Sequence, residues 1–159
     1  MCEQLVRAGW RVTVPTRRAV NARSVQHLPG LDVLPADVHH PAELARLLPG
    51  HDAVVNLIAV LQGNRRRFEQ VHVTFPQRLG EAMLAAHVRR LVHVSALGAD
   101  PAGPSLYQQT KGEGEAVLQQ IATAGLALTV LRPSVIFGAE DRFLNLFARL
   151  QRSLPLVPL

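Results

Sequence analysis

The chain has 159 residues, 48% apolar and 18% charged, with a formal net charge of +5; that length suits one domain with a sizeable core, and that balance is neither disordered nor fibrous. A single cysteine, Cys2, excludes an internal disulfide framework, and no spacing of His, Cys, Asp or Glu suggests a metal site. The basic excess is almost all Arg, with few aromatics interleaved, which argues against nucleic acid as a partner, and the longest apolar stretch (53–61) is broken by Asn56 and too short to cross a bilayer.

Helix-like and strand-like segments alternate along the chain. Residues 1–8 read as the last turns of a helix closed by Gly9, and 10–15, alternating and β-branched, as a strand. A weak helix (20–28) closed by Pro29-Gly30, a strand (31–34) and a helix (40–48) stopped by Pro49-Gly50 follow. Residues 53–59, apolar apart from Asn56, predict a strand buried on both faces, with an Arg-rich loop after it. Next comes a long helix over 68–87, its stripe formed by Val71, Phe75, Leu79 and Met83, with Pro76 as a kink point. A strand (90–95), a Gly/Pro loop (96–105), a helix (106–123), a strand (126–131) and a helix (141–152) complete the order. The seven His are expected mainly in surface or capping roles.

Strands separated by helices predict right-handed crossovers and an α/β, doubly wound parallel sheet. Ligands of such sheets bind at the carboxyl ends of the strands. Polar and special residues gather at those predicted ends: Thr16-Arg17-Arg18, Asp37, Ala59, Ser95 and Arg132-Pro133-Ser134.

Tyr107 and Lys111 are the only tyrosine and the only lysine. Four residues apart in a helix, they share a face. An ammonium near a phenol is expected to lower its pKa toward the range of a general acid/base. Ser95, twelve residues before Tyr107, would aim a hydroxyl at the same carbonyl or alcohol oxygen.

Ser95 followed by Tyr107-x-x-x-Lys111 resembles the catalytic set of the extended or atypical short-chain dehydrogenases/reductases, the NAD(P)-dependent epimerase/dehydratase group. The block over 131–148, with Arg132-Pro133-Ser134, Phe137-Gly138 and Asp141-Arg142-Phe143, and the segment His93-Val94-Ser95-Ala96-Leu97-Gly98, are similar to one branch of it. That branch contains the NAD(P)H-binding accessory subunits of respiratory complex I and their bacterial relatives. The resemblance implies a Rossmann-like sheet, a dinucleotide cofactor, and Ser95, Tyr107 and Lys111 as the catalytic residues. It also assigns Lys111 to the cofactor ribose, Asp37 to the adenine side, and backbone groups of Leu57, Ile58 and Ala59 to the central ribose and diphosphate. Arg132, Pro133 and Ser134 then border the nicotinamide. Arg17 and Arg18 stand where an NAD-preferring domain has an acidic residue, so NADP(H) is expected over NAD(H).

The family's glycine-rich phosphate loop is absent from the sequence, and residues 1–8 read as the end of the helix it would open. The expectation is therefore a single domain over 1–159 that lacks the first strand and phosphate loop, is incomplete at both ends, and breaks off in its substrate-binding part after about residue 152. In that form the chain is expected to be inactive. Two functions follow from the resemblance. One is an oxidoreductase, epimerase or dehydratase using Tyr/Lys/Ser chemistry on a small molecule. The other is a non-catalytic NADPH-binding accessory subunit or assembly factor of a respiratory complex. Either implies a cytoplasmic protein, the second one peripheral to the inner membrane.

Overall fold

β-branched and leucine-rich segments held between turn residues form five short strands in the computed structural model, which describes residues 1–136. β1 (Val12–Thr16) pairs in parallel with β2 (Leu31–Pro35), Val12 opposite Leu31 and Thr16 opposite Pro35. β3 (Ala53–Asn56), β4 (Arg90–Val94) and β5 (Ala127–Leu131) make a second parallel ladder with β4 in the middle. Helix α1 (Cys2–Arg7) precedes β1, and α2 (Pro41–Leu47), α3 (Arg65–Glu69), α4 (Phe75–Ala85) and α5 (Leu106–Ala122) occupy connections between strands. This is the predicted Rossmann-like α/β architecture. Among the described residues no strand pairs with the second edge of β1 or of β3. His51 spans the two ladders: its Nε2 lies 3.0 Å from Thr13 Oγ1 on β1, two residues before β3 begins.

The core lies on one side of the three-stranded ladder. Leu44 and Leu48 meet Phe75, Leu79 and Met83 of α4, Leu118 of α5, and Val88, Leu91 and Leu126. Alternation along the strands turns Val54, Asn56, Leu91 and His93 toward these helices, while Ala53, Val55, Thr129 and Leu131 are exposed. Burial of 53–59 on both faces is therefore not what the described residues form. α4 and α5 pack on the same side of the ladder, and no described element covers the other.

Three local differences from the predicted elements have physical causes. β3 stops at Asn56 because the Asn56 Oδ1 accepts from the Ile58 N–H at 3.0 Å, turning the chain out of the sheet. The Arg-rich loop is helical instead, since Asn64 caps α3 by accepting from the Arg67 N–H at 3.0 Å. The weak helix over 20–28 reduces to a 3₁₀ turn at Ala19–Ala22.

The long predicted helix is continuous in path but not in winding. Pro76 has no N–H to offer the His72 carbonyl four residues earlier. The Phe75 N–H bonds instead to the Gln70 carbonyl, and Gln70–Thr74 opens into one π turn. The kink expected at Pro76 is thus absorbed before the proline. The freed His72 carbonyl faces Gly114 of α5 so closely that no side chain fits there. Gly112, two residues earlier, allows the same close approach to the Asp100-Pro101 backbone.

The helix expected over 141–152, with Asp141, Arg142, Phe137, Phe143, Phe147 and the Pro/Leu segment beyond, lies outside the described residues. No described helix is long and apolar enough to cross a membrane.

Candidate functional site

β4 delivers His93, Val94 and Ser95 to the carboxyl end of the ladder, and α5 runs back across them. Ser105 starts α5 by accepting from the Gln108 N–H at 3.2 Å, which fixes where Tyr107 and Lys111 emerge. Lys111 is 1% exposed, and its Nζ donates to the Val94 carbonyl at 2.8 Å. Burial pushes its pKa down, and Glu115 one turn on opposes that. An ammonium carries three donors, so this one keeps capacity for a ligand oxygen beyond its bond to Val94.

Tyr107 is half-buried, its ring edge-on to His72 at 5.4 Å and 90° and to Phe68 at 6.4 Å and 77°. Burial pushes the phenol pKa up. The sequence-based expectation of a phenol lowered by Lys111 is corrected here: the two residues do share a helix, but the ammonium is committed to Val94 and the phenol to the aromatic cluster. Ser95 follows the last residue of β4, as expected. Its Oγ is buried and makes no hydrogen bond of ordinary geometry among the described residues, although it sits close enough to Glu115 to help lower that carboxyl's pKa.

Arg132 and Glu115 form a pair the sequence reading missed. The Arg132 Nε lies 3.0 Å from both Glu115 oxygens and Nη2 closes the fork. Burial opposes ionisation of Glu115, yet the guanidinium holds its carboxyl below the usual range. Arg132 thus binds the end of β5 to α5. Pro133 adds its carbonyl, which accepts from the Leu97 N–H at 2.9 Å, while Ser134 is exposed.

Two histidines are core residues rather than surface ones. The Ile58 N–H occupies the Asn56 Oδ1, so the Asn56 Nδ2 donates to His93 Nδ1 at 3.0 Å. His93 Nε2 then carries the proton, and it has no partner among the described residues. Burial, with the charge of Lys111, takes its pKa down to about 4, against the pull of Glu115. His72 accepts from the Val60 N–H at Nε2 (3.1 Å), and its Nδ1 lies 3.0 Å from Thr110 Oγ1. Burial and Lys111 lower it likewise to about 4, so both imidazoles are neutral near pH 7.

The remaining predicted residues lie on the outer rim. Arg17 and Arg18 are exposed just after β1, where Thr16 Oγ1 donates to the Arg18 carbonyl at 3.0 Å. Asp37 follows β2; its Oδ1 accepts from the His39 N–H at 3.1 Å, so it builds the turn ahead of α2, whose cap position is His40. Arg67 and Arg78 join Arg17 in the positive field at half-buried His39, whose pKa burial lowers and Asp37 supports. Leu57 and Ala59 are exposed beyond β3, and Ile58 packs toward the core. The structure thus gathers Ser95, Lys111 and Arg132 around β4 and α5, and leaves Arg17, Arg18 and Asp37 at the ends of the other ladder. Glu115 was legible as the carboxylate four residues after Lys111 on the same helix; Asn56, His72, His93 and Thr110 are scattered single polar residues whose meeting only the fold reveals.

Known proteins bear on this arrangement. The chain is 33% identical over 162 residues to the mouse NADH dehydrogenase (ubiquinone) 1 alpha subcomplex subunit 9 of mitochondria, covering 98% of this chain and 42% of that protein. It is 30% identical over 155 residues to the mitochondrial NADH-ubiquinone oxidoreductase 40 kDa subunit of Neurospora crassa, covering 95% of this chain and 40% of that one. The chain therefore spans less than half the length of these relatives. Among solved structures, MoeE5 in complex with UDP-glucuronic acid and NAD superimposes with a TM-score of 0.79 at 24% identity, over 94% of this chain and 55% of that one. UDP-glucuronic acid 4-epimerase from Bacillus cereus in complex with NAD does so with a TM-score of 0.74 at 18% identity, over 86% of this chain and 52% of that one. These structures share the fold. Residues 1–142 match the family described as NAD(P)H-binding, and the chain belongs to that family.

Proposed function

We propose that this chain is the dinucleotide-binding part of an NADPH-holding accessory protein of a respiratory complex, in which the cofactor is held rather than turned over. One observation carries the reading: the Lys111 and Tyr107 pair expected to do chemistry is engaged with the protein, not with each other. Lys111 is bonded to Val94, Tyr107 is packed on His72 with its phenol pKa raised, and the Ser95 hydroxyl is buried. The relatives above 30% identity, which are respiratory NADH dehydrogenase subunits, support the same reading.

The dinucleotide would lie across the carboxyl ends of the strands. Arg17 and Arg18 would receive the 2′-phosphate of NADP(H), in a field strengthened by Arg67 and Arg78. Asp37 would stand beside the adenine, and backbone groups of Leu57, Ile58 and Ala59 would follow the central ribose and diphosphate. The residual donors of Lys111 fit a ribose hydroxyl, and Pro133 and Ser134 would border the nicotinamide. The open edges of β1 and β3 fit one further parallel strand, which a right-handed crossover through α1 would join to β1. Its following turn would supply the N–H groups for the diphosphate. Location at a membrane complex, peripheral to the bilayer, is part of the same proposal.

A second reading keeps Ser95, Tyr107 and Lys111 as a catalytic set on a small molecule. It is favoured by Tyr107 and Lys111 lying one turn apart on α5. There the nicotinamide would supply hydride transfer, Tyr107 would hold the proton at its phenol, and Lys111 would orient the ribose.

Titration with NADPH and NADH tests the proposal, using this chain and a form extended upstream through an in-frame glycine-rich segment. The extended form is expected to bind NADPH more tightly than NADH, and Arg17→Glu with Arg18→Glu to abolish that preference. Tyr107→Phe should leave binding unchanged. Failure of the extended form to bind either dinucleotide would overturn the reading, and substrate-dependent turnover lost in Tyr107→Phe would move it to the enzyme.

A further inference from the structure

His72 is buried at the centre of the π turn and touches two other parts of the chain, the segment after β3 and α5. Its Nε2 accepts from the Val60 N–H beyond β3, its Nδ1 meets Thr110 of α5, and its ring stands edge-on to Tyr107. Only one neutral form satisfies these contacts. The Val60 N–H can only donate, so Nε2 carries no proton and Nδ1 does. Thr110 Oγ1, already donating to the Leu106 carbonyl at 2.8 Å, accepts from Nδ1–H. The π turn is what brings the imidazole to this point, and that turn exists because Pro76 leaves the His72 carbonyl free.

We infer that His72 is a positioning residue that couples the segment after β3 to the first turn of α5, fixing both Val60 and the face of Tyr107. The inference rests on the dinucleotide reading above only for what that segment and that face bind. A tautomer set by a backbone donor on one side and a hydroxyl on the other leaves the ring a single orientation. Residues 57–60 are then anchored at their far end by His72 and at their near end by Asn56, through the Ile58 N–H. A segment whose contribution to a ligand is its backbone needs such anchoring, because no side chain of its own holds it.

Adding a proton to His72 would set Nε2–H against the Val60 N–H and release the anchor. The groups facing it are Lys111 and Tyr107 from α5 and His93 from β4. Lys111 opposes a second positive charge here.

Two variants separate hydrogen bonding from packing. His72→Phe keeps a ring against Tyr107 and Phe68 but loses both polar contacts, and His72→Gln keeps an acceptor for Val60. Nitrogen-15 spectra of the wild-type imidazole are expected to report the Nδ1–H form at pH 7. The Val60 amide should exchange roughly fivefold to tenfold faster in His72→Phe than in the wild type, in keeping with the net worth of one hydrogen bond. His72→Gln should restore most of that protection. In the upstream-extended form, NADPH affinity should fall by a similar factor in His72→Phe and recover in His72→Gln. An Nε2–H imidazole in the wild type, or an unchanged Val60 amide in a folded His72→Phe, would overturn the inference. Should His72→Phe not fold, the wild-type tautomer and the Gln variant decide. Should NADPH bind no form, the dinucleotide reading falls while the imidazole and Val60 measurements still judge His72.

Discussion

Polar residues are handled in opposite ways on the two ladders. Around β4 and α5 they are tied to one another and, Arg132 apart, buried: Asn56 to His93, His72 to Thr110, Glu115 to Arg132, Lys111 to Val94. On β1, β2 and their flanks they are half-buried or exposed and make contacts that water could replace, as between Arg11 and Asp32. A buried polar group is costly when it loses its partner, whereas an exposed one is nearly indifferent. The first region is therefore rigid by construction, and it holds the groups with chemical potential. The second offers charge without rigidity, which suits recognition of a phosphate arriving from solvent.

Glycines put the contrast to its hardest test. A Cβ at Gly114 would fall on the His72 carbonyl oxygen, and one at Gly112 would lie 2.6 Å from the Asp100 carbonyl carbon. Both obstacles are backbone, so the helix must move away. Gly114→Ala is expected to cost about 3 kcal/mol or more in denaturant unfolding, at the top of the range for overpacking. Gly30, in the turn just before β2, has open space around it and only a φ of +77° to defend. Gly30→Ala should cost about 1–2 kcal/mol. Equal losses at the two sites would dissolve the distinction between the regions.

Acid provides the next test. His72 and His93 titrate at about 4 in the folded chain, below the ordinary value of 6.5. The unfolded chain therefore binds more protons between those values, and stability is lost as pH falls from about 6.5 toward 4. Each imidazole can contribute a slope of up to about 1.4 kcal/mol per pH unit in that window. Denaturant midpoints measured from pH 7 to pH 4 should show this fall, and His93→Asn should flatten it by roughly half. An unchanged slope in that variant would mean that His93 is not neutral and buried as described.

Much of this was legible in the sequence, and the rest was hidden for identifiable reasons. Alternating periodicity located the five strands and α1, α2, α4 and α5 to within a few residues. Those signals are local, and tertiary contacts reinforce them. The start of α3 was missed because a run of Arg after a Gly-Asn pair reads as loop, while the decisive Asn64 cap is a single side chain. The π turn was missed because a proline can disturb a helix in several ways, and nothing local to Pro76 signals which one. The buried network was missed for a deeper reason. Asn56, His72, His93 and Thr110 are spread over 55 positions, and only strand register and the crossing of α5 bring them together. Tyr107 and Lys111 stood out as neighbours on one helix face, whereas Glu115 on the same helix did not. Neither did the partners Val94 and His72, and Arg132 stood out only as a residue bordering the nicotinamide, not as the partner of Glu115.

The smallest expected effect is the most informative about the outer ladder. Arg11 Nη2 lies 2.9 Å from Asp32 Oδ2, linking β2 to the residue before β1. Both side chains are open to water, so their attraction is weakened by solvent and salt while each loses freedom in the pair. Asp32→Asn should therefore change unfolding stability by no more than about 0.5 kcal/mol, and added salt should erase even that. The corresponding cut at the inner pair, Arg132→Ala, leaves the buried Glu115 carboxylate without its guanidinium and should cost several times more. The two pairs look alike as contacts, and they differ in one thing only: whether water can take the place of the missing partner. A large loss at Asp32 would mean that β1 and β2 are held together by their charges.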